Sequence, residues 1–338
     1  MLFKKTLIIG LGLIGGSIAR DLSNKKISKK IIACDVDEES LQLAKIEKII
    51  EEGFSDLEFL LDEINQFDLI IIATPISAYE EIFAQISHVK SLVIDLGSVK
   101  NFDFDNLPKN YIPCHPIAGL ESGGFENSLE NLFLDKKFII CKKHEKISQL
   151  IKEIGAKEEF LEAKKHDEIY ALISHLPQFL SFLTKEFSPK KINSNFLKKC
   201  FRLDDSKPEI WEDIFLENEE NLEKFYLEFF DNLENLTQKS DEKIAEELMN
   251  LDCLVDLDNK GAEVDLRDKE IAKILFRVLV VVSYLKIKKI KEFINYAGSG
   301  FRDFTLLILL LKNLKKDELI FVLKNNRKIF NKFLKSIS

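Results

Sequence analysis

The chain has 338 residues, 46% of them hydrophobic, with a formal net charge of -8 and a pI near 5.4. That length accommodates two domains with cores of their own, and the acidic balance argues against nucleic acid as the main partner, because neutralising phosphates takes a concentrated basic face. No apolar run approaches the roughly 18 residues of a membrane span and the amino-terminal one is too short for a signal peptide, so a cytoplasmic protein without membrane contact is expected.

Residues 7–9 read as a short buried strand running into Gly10-Leu11-Gly12-Leu13-Ile14-Gly15-Gly16-Ser17 and a helix to about residue 24. In a GxGxxG run placed between strand and helix, the glycines permit a tight turn, close approach of a pyrophosphate and packing of helix on strand. The helix N-terminus adds N–H groups and the positive end of a dipole. Gly10, Gly12, Leu13, Ile14 and Gly15 are therefore the expected pyrophosphate contacts. The next strand, 31–35, ends in Asp35, 20 residues beyond Gly15. A carboxylate there hydrogen-bonds an adenosine 2′-hydroxyl and repels a 2′-phosphate, which favours NAD over NADP.

Residues 38–52 read as a helix, 68–73 as an Ile-rich strand closed by Thr74-Pro75, 77–87 as a helix, and 92–95 as a strand leading into Leu96-Gly97-Ser98-Val99-Lys100. Strand 111–114 enters a Gly-rich turn carrying His115 and Glu121, and 137–141 is a later strand. Alternating strands and helices predict an α/β fold, a Rossmann-type doubly wound parallel sheet. Thr74, Pro75 and Ser98 fall at carboxyl ends of strands, where nicotinamide and substrate lie in such sheets. Pro116 biases the backbone before it to an extended form, so His115 is presented at a strand end, and Thr74, Ser98 and His115 are expected to face one crevice.

After residue 155 the alternation gives way to long helical patterns with Lys and Glu on the polar face. A nucleotide-binding domain of 1–160 is thus followed by an all-α domain of 161–338. Residues 166–185 read as one long helix in which Pro177 kinks the axis and frees a carbonyl. His175 on that helix either lines the site or packs as a polar residue. Residues 236–268, acidic and low in aromatics, read as a connector, and 269–291 as a helix. The five cysteines, Cys34, Cys114, Cys141, Cys200 and Cys253, are scattered without metal spacing, so reduced thiols and no metal site are expected. Arginine occurs only at Arg20, Arg202, Arg267, Arg277, Arg302 and Arg327, which limits the groups able to clamp a carboxylate through two hydrogen bonds.

Four motifs in order resemble the prephenate dehydrogenase family: the Gly-rich run at 10–17, Asp-Leu-Gly-Ser-Val-Lys at 95–100, His-Pro-Ile-Ala-Gly-Leu-Glu-Ser-Gly at 115–123 and Ser-His-Leu-Pro-Gln at 174–178. The match runs to about residue 230. The resemblance implies NAD-dependent oxidative decarboxylation of prephenate to 4-hydroxyphenylpyruvate, in tyrosine biosynthesis, by a homodimer joined through its helical domain. His115 suits the base that accepts the substrate hydroxyl proton. Ser98 matches the serine that orients that histidine and hydroxyl, and Glu121 the acid of the same loop. The family usually has a second histidine where Gln178 stands; an amide still hydrogen-bonds the pyruvyl group but carries no charge. Arg202, nine residues before Trp211, is similar to the segment bearing a carboxylate-binding arginine and a tryptophan near the neighbouring subunit's site. The Gly-rich run ending in Phe-Arg-Asp that is expected just before that arginine stands instead at 298–303. Either 265–338 is a degenerate second copy of 170–235, leaving Arg202 or Arg302 as the carboxylate ligand, or these are unrelated amphipathic segments. Arogenate dehydrogenase and a non-catalytic NAD-binding interaction subunit are the alternative functions. A β-hydroxyacid dehydrogenase would carry a lysine on the long helix, where Ser-His-Leu-Pro stands.

Overall fold

A computed structural model of the protein describes residues 1–120, 122–188, 195–249, 271–313 and 315–337. Glu121 lies outside the described residues. The chain divides into two compact units, one of Met1–Asp167 with Pro208–Glu217, the other of Glu168–Lys207 with Asn218–Ser338.

The first unit opens with β1 (Phe3–Ile9), α1 (Leu13–Asn24), β2 (Ser28–Cys34), α2 (Glu38–Ile46) and β3 (Glu52–Phe54). It continues through β4 (Leu69–Ile72), α3 (Tyr79–Ile86), β5 (Leu92–Asp95) and β6 (Tyr111–Ile112). These six strands form one sheet in the order β3-β2-β1-β4-β5-β6, every pair parallel. The order reverses between β1 and β4, whose carboxyl ends therefore border the crevice of a Rossmann sheet. Side chains alternate between two cores: Ile8, Ile31, Leu69, Ile71 and Ile94 point to the face covered by α1 and α2. Leu7, Ile9, Ile32, Ile70, Ile72 and Val93 point to the face covered by α3. Burial on both faces is why these strands read as continuous Ile-rich runs.

The helix expected over 38–52 is shorter. It ends at Ile46, Lys48 takes a left-handed conformation (φ +60°), and Glu52–Phe54 becomes an edge strand beside β2. Three residues on an edge, Glu52-Gly53-Phe54, carry too little pattern to announce a strand. The strand expected at 111–114 is two strands broken at Pro113, whose missing N–H interrupts a ladder. Its second half, β7 (Cys114–Pro116), leaves the large sheet for a small one with β8 (Lys137–Ile140) and, after α4 (Glu145–Glu153), β9 (Lys157–Phe160). β7 runs antiparallel to β8, and β9 parallel to it.

α5 (Ala163–Tyr170) then runs into a π-helical turn, Ala171–His175, and α6 (Leu176–Leu183). The sequence predicts one long helix over 166–185, kinked at Pro177; the structure instead interrupts it with a π-turn. Pro177 cannot donate to the carbonyl four residues earlier, and the wider turn, in which Leu176 N–H reaches Ala171 O, absorbs the fault. α7 (Asn195–Cys200), a tight turn at Arg202–Asp205, α8 (Pro208–Glu217), α9 (Glu219–Thr237), α10 (Asp241–Met249), α11 (Ile271–Leu285), α12 (Ile290–Phe293), α13 (Ser299–Thr305) and α14 (Lys316–Ile337) complete the chain. α8 packs in the first unit, although it had been placed with the helical domain. The expected connector contains α10, with Ile244, Ala245 and Leu248 buried, and its remainder from residue 250 lies outside the described residues. Cys34, Cys114, Cys141 and Cys200 are free thiols, and Cys253 falls outside the described residues.

Candidate active site

At the β1–α1 turn, Gly10 adopts φ +93°, and a Cβ there would stand 2.6 Å from the carbonyl carbon of Ala73. A Cβ on Gly15 would stand 1.9 Å from Gly10 O, so both positions require glycine for α1 to seat against the sheet. Space around Gly12 is open. Gly12 caps α1 without any side-chain acceptor, and no acidic residue occupies the first turn, so neither a cap nor a first-turn carboxylate stands at the N–H groups of Leu13 and Ile14. The Asp35 carboxylate accepts from Leu11 N–H and, at 2.8 Å, from Asp37 N–H. Those bonds fix its orientation and leave lone pairs for a ribose. After β4, Thr74 Oγ1 is buried without a hydrogen-bond partner among the described residues. An uncapped helix end, an oriented carboxylate and an orphaned hydroxyl fit a dinucleotide.

Asp95, the last residue of β5, is fully buried and gathers five donors. They are Tyr79 OH (3.1 Å), Gly97 N–H (2.9 Å), Tyr111 OH (2.8 Å), Cys114 N–H (3.2 Å) and the Lys100 ammonium. Burial and the Asp95 charge push both phenols well above their ordinary pKa, so they remain donors. Lys100 Nζ also donates to Cys114 O at 2.8 Å, tying the loop after β5 to the start of β7.

His115, half-buried on β7, meets a partner that sequence reasoning missed. Its Nδ1 lies 2.9 Å from Nε2 of His166, which is fully buried on α5. His166 Nδ1 lies 2.7 Å from Asp167 Oδ1. Asp167 is fixed in turn by the backbone N–H groups of Lys100 (2.9 Å) and Asn101 (2.7 Å). Burial, reinforced by the Lys100 ammonium, holds the His166 pKa well below 6.5, so this ring is neutral. The adjacent pair His166-Asp167, eight residues before Ser174, was the only signal in the sequence. Ser98 stands half-buried in the loop after β5.

α8 brings Trp211 against Ile76, Val99 and Ile214 in the first unit, while Asp213 accepts from Ser77 N–H (3.1 Å) and Oγ–H (2.6 Å). In the second unit, His175 is buried in the π-turn with Nδ1 3.1 Å from Asn218 Nδ2. Gln178 donates to Leu203 O at 2.8 Å and accepts from Ser206 Oγ at 3.3 Å, fixing the turn that carries Arg202. Arg202 bonds Asp303 through Nε (2.9 Å) and Nη2 (2.7 Å), and α13 packs on the Arg202–Asp205 turn. The two halves of the signature, a hundred residues apart in the chain, thus meet inside one unit. Arg302 is exposed.

These features define a dinucleotide-binding protein of Rossmann type with an appended helical unit. Residues 18–165 match the family model for the prephenate dehydrogenase nucleotide-binding domain, and residues 162–251 the model for the prephenate dehydrogenase dimerization domain. The cyclohexadienyl dehydrogenase of Zymomonas mobilis is 28% identical over 241 residues, 64% of this chain and 81% of that protein. The prephenate dehydrogenase of Lactococcus lactis is 31% identical over 189 residues, 53% of this chain and 52% of that one. The crystal structure of prephenate dehydrogenase from A. aeolicus, in complex with hydroxyphenyl propionate and NAD+, superposes with a TM-score of 0.62 at 31% identity, over 70% of this chain and 90% of that one. The chain belongs to the prephenate dehydrogenase family. Among the described residues no helix is long and apolar enough to cross a membrane, and no group of His, Cys, Asp and Glu could hold a metal ion.

Proposed function

We propose that the chain catalyses the NAD-dependent oxidative decarboxylation of prephenate to 4-hydroxyphenylpyruvate, a step of tyrosine biosynthesis, as a cytoplasmic homodimer. The observation that carries this reading is His115 on β7, half-buried, with Nδ1 tied to His166. NAD held by the Gly10–Gly15 turn and Asp35 would supply the acceptor for the hydride that leaves C4 of the substrate. His115 takes the C4 hydroxyl proton as that hydride leaves, and returns it to the same oxygen when loss of carbon dioxide aromatises the ring. Ser98 is assigned to orienting the hydroxyl and the histidine, Glu121 to binding the substrate, and Thr74 with Pro75 to the nicotinamide side of the cofactor.

Arg202 is the proposed carboxylate ligand. Asp303 engages its Nε and Nη2, so the guanidinium is oriented before a substrate arrives. His175, Gln178 and Trp211 are assigned to the substrate's side chain and to its enclosure. The Arg202–Asp303 pair also supports reading 265–338 as a degenerate copy of 170–235 that completes the signature within one chain. Arogenate is the second reading for the substrate. It is favoured by the neutrality of Gln178, because an imidazolium there would repel the ammonium of an amino-acid side chain and an amide does not.

The test of the base is His115→Asn. Turnover is expected to fall by at least about a hundredfold while NAD affinity stays near that of the parent protein. Loss of NAD binding instead would make the histidine structural.

A further inference from the structure

We propose that His166 and Asp167 are positioning residues that set the tautomer of His115, leaving its Nε2 as the proton-accepting nitrogen. This rests on the reading of His115 as the base, and the hydrogen-bond accounting runs from the buried end outward. The Asp167 carboxylate can only accept, and its two oxygens already take the backbone N–H groups of Lys100 and Asn101. His166 Nδ1, 2.7 Å from Oδ1, must therefore carry a proton, since a lone pair facing a carboxylate would be repelled. A neutral imidazole protonated at Nδ1 presents a lone pair at Nε2. His115 Nδ1, 2.9 Å from that lone pair, must then carry its own proton. One lone pair remains on His115, at Nε2.

Elements distant in the chain hold this arrangement. His115 stands on β7, His166 and Asp167 on α5, and the amides that anchor Asp167 follow β5. Among the described residues, Asp167 and the Lys100 ammonium, the latter paired with Asp95, are charged groups that act on His166. The His166 ring is fully buried, so a proton gained by His115 during turnover stays on His115 and is not passed inward. A histidine in direct contact with a carboxylate would be made more basic; the neutral ring between them orients His115 without bringing the anion against it.

The test uses the full-length protein labelled with 15N-histidine, without substrate, in long-range 1H–15N correlation spectra at mildly alkaline pH. The chain has five histidines, and His115→Asn identifies the signal of interest. The wild-type protein is expected to show His115 protonated at Nδ1 and bare at Nε2. His166→Leu, which removes the acceptor, is expected to move His115 toward the Nε2–H form. Its kcat should fall by about a hundredfold, with the substrate KM changed by less than about threefold. His166→Gln keeps one acceptor for His115 and one donor for Asp167, and is expected to restore the Nδ1–H form and most of the rate. A wild-type spectrum with the His115 proton on Nε2, or a Leu variant that keeps the Nδ1–H form, overturns the proposal. If the Leu variant does not fold, the wild-type spectrum still decides. The spectra need no substrate, so an error in the assigned reaction would leave this result standing on its own.

Discussion

Below its ordinary pKa of 6.5, the His166 imidazole gains a proton when the chain unfolds that it does not hold when folded, because burial and the Lys100 ammonium keep it neutral in the native state. The unfolded state then binds more protons than the native one. This residue's contribution to stability is therefore complete above 6.5 and is lost as pH falls toward the depressed native value. Chemical denaturation across that window should show a shallower loss of stability for His166→Gln than for the wild-type protein; equal slopes would mean that the ring protonates without penalty. Sequence alone pointed to His115, because its neighbour Pro116 acts on the adjacent backbone and that effect is local. His166 lies 51 residues away on another element, and only the folded chain brings the two rings together. Asp35 and the glycines of the β1–α1 turn were legible for the same reason as His115: their spacing alone places them.

At the scale of elements, the end of β5 works as a knot. Asp95 and Lys100 are both fully buried in their side chains, and Lys100 Nζ also bonds Cys114 O at the head of β7. Removing one partner of a buried ion pair leaves the other charge uncompensated. Lys100→Met is accordingly expected to destabilise the first unit by about 3 kcal/mol, read as a lower denaturant midpoint with unchanged slope. A loss below about 1 kcal/mol would show that Tyr79, Tyr111 and the backbone amides satisfy Asp95 without the lysine. The Asp-Leu-Gly-Ser-Val-Lys motif was readable, but the mutual burial of its first and last residues was not. The alternating β/α pattern gave β1, β2, β4 and β5, whose residues are mostly apolar and buried on both faces. β3 and β9 escaped notice because three or four residues on a sheet edge carry neither pattern, and the π-turn because Pro177 marks a fault without saying how the helix absorbs it.

On the scale of the whole molecule, the second unit joins segments that composition kept apart. The dimerization-domain match ends at residue 251, yet α11 packs against α9. Arg277 on α11 is fully buried with its guanidinium bonded to Asp204 (2.9 Å), Thr184 Oγ1 (2.7 Å) and Ser181 O (3.3 Å). Asp303 on α13 holds Arg202 in the same way. The carboxy-terminal helices are thus part of the unit that carries the proposed carboxylate ligand. Arg202→Gln is expected to raise the KM for substrate by about tenfold or more, whereas Arg302→Gln, at an exposed position, should leave it within about twofold. The reverse ranking would move the carboxylate ligand to α13. Sequence reading placed both arginines in the signature but left their assignment open, because nothing in the linear order indicates that Asp303 reaches back to Arg202.

The central claim is the reaction itself, and the most direct test is NADH formation by the purified full-length protein supplied with NAD and, in separate assays, prephenate and arogenate. Steady NADH production with prephenate, accompanied by equimolar carbon dioxide and 4-hydroxyphenylpyruvate and abolished in His115→Asn, is the predicted result. NADH from arogenate alone would reassign the substrate, and no NADH from either in a protein that binds NAD would contradict the account.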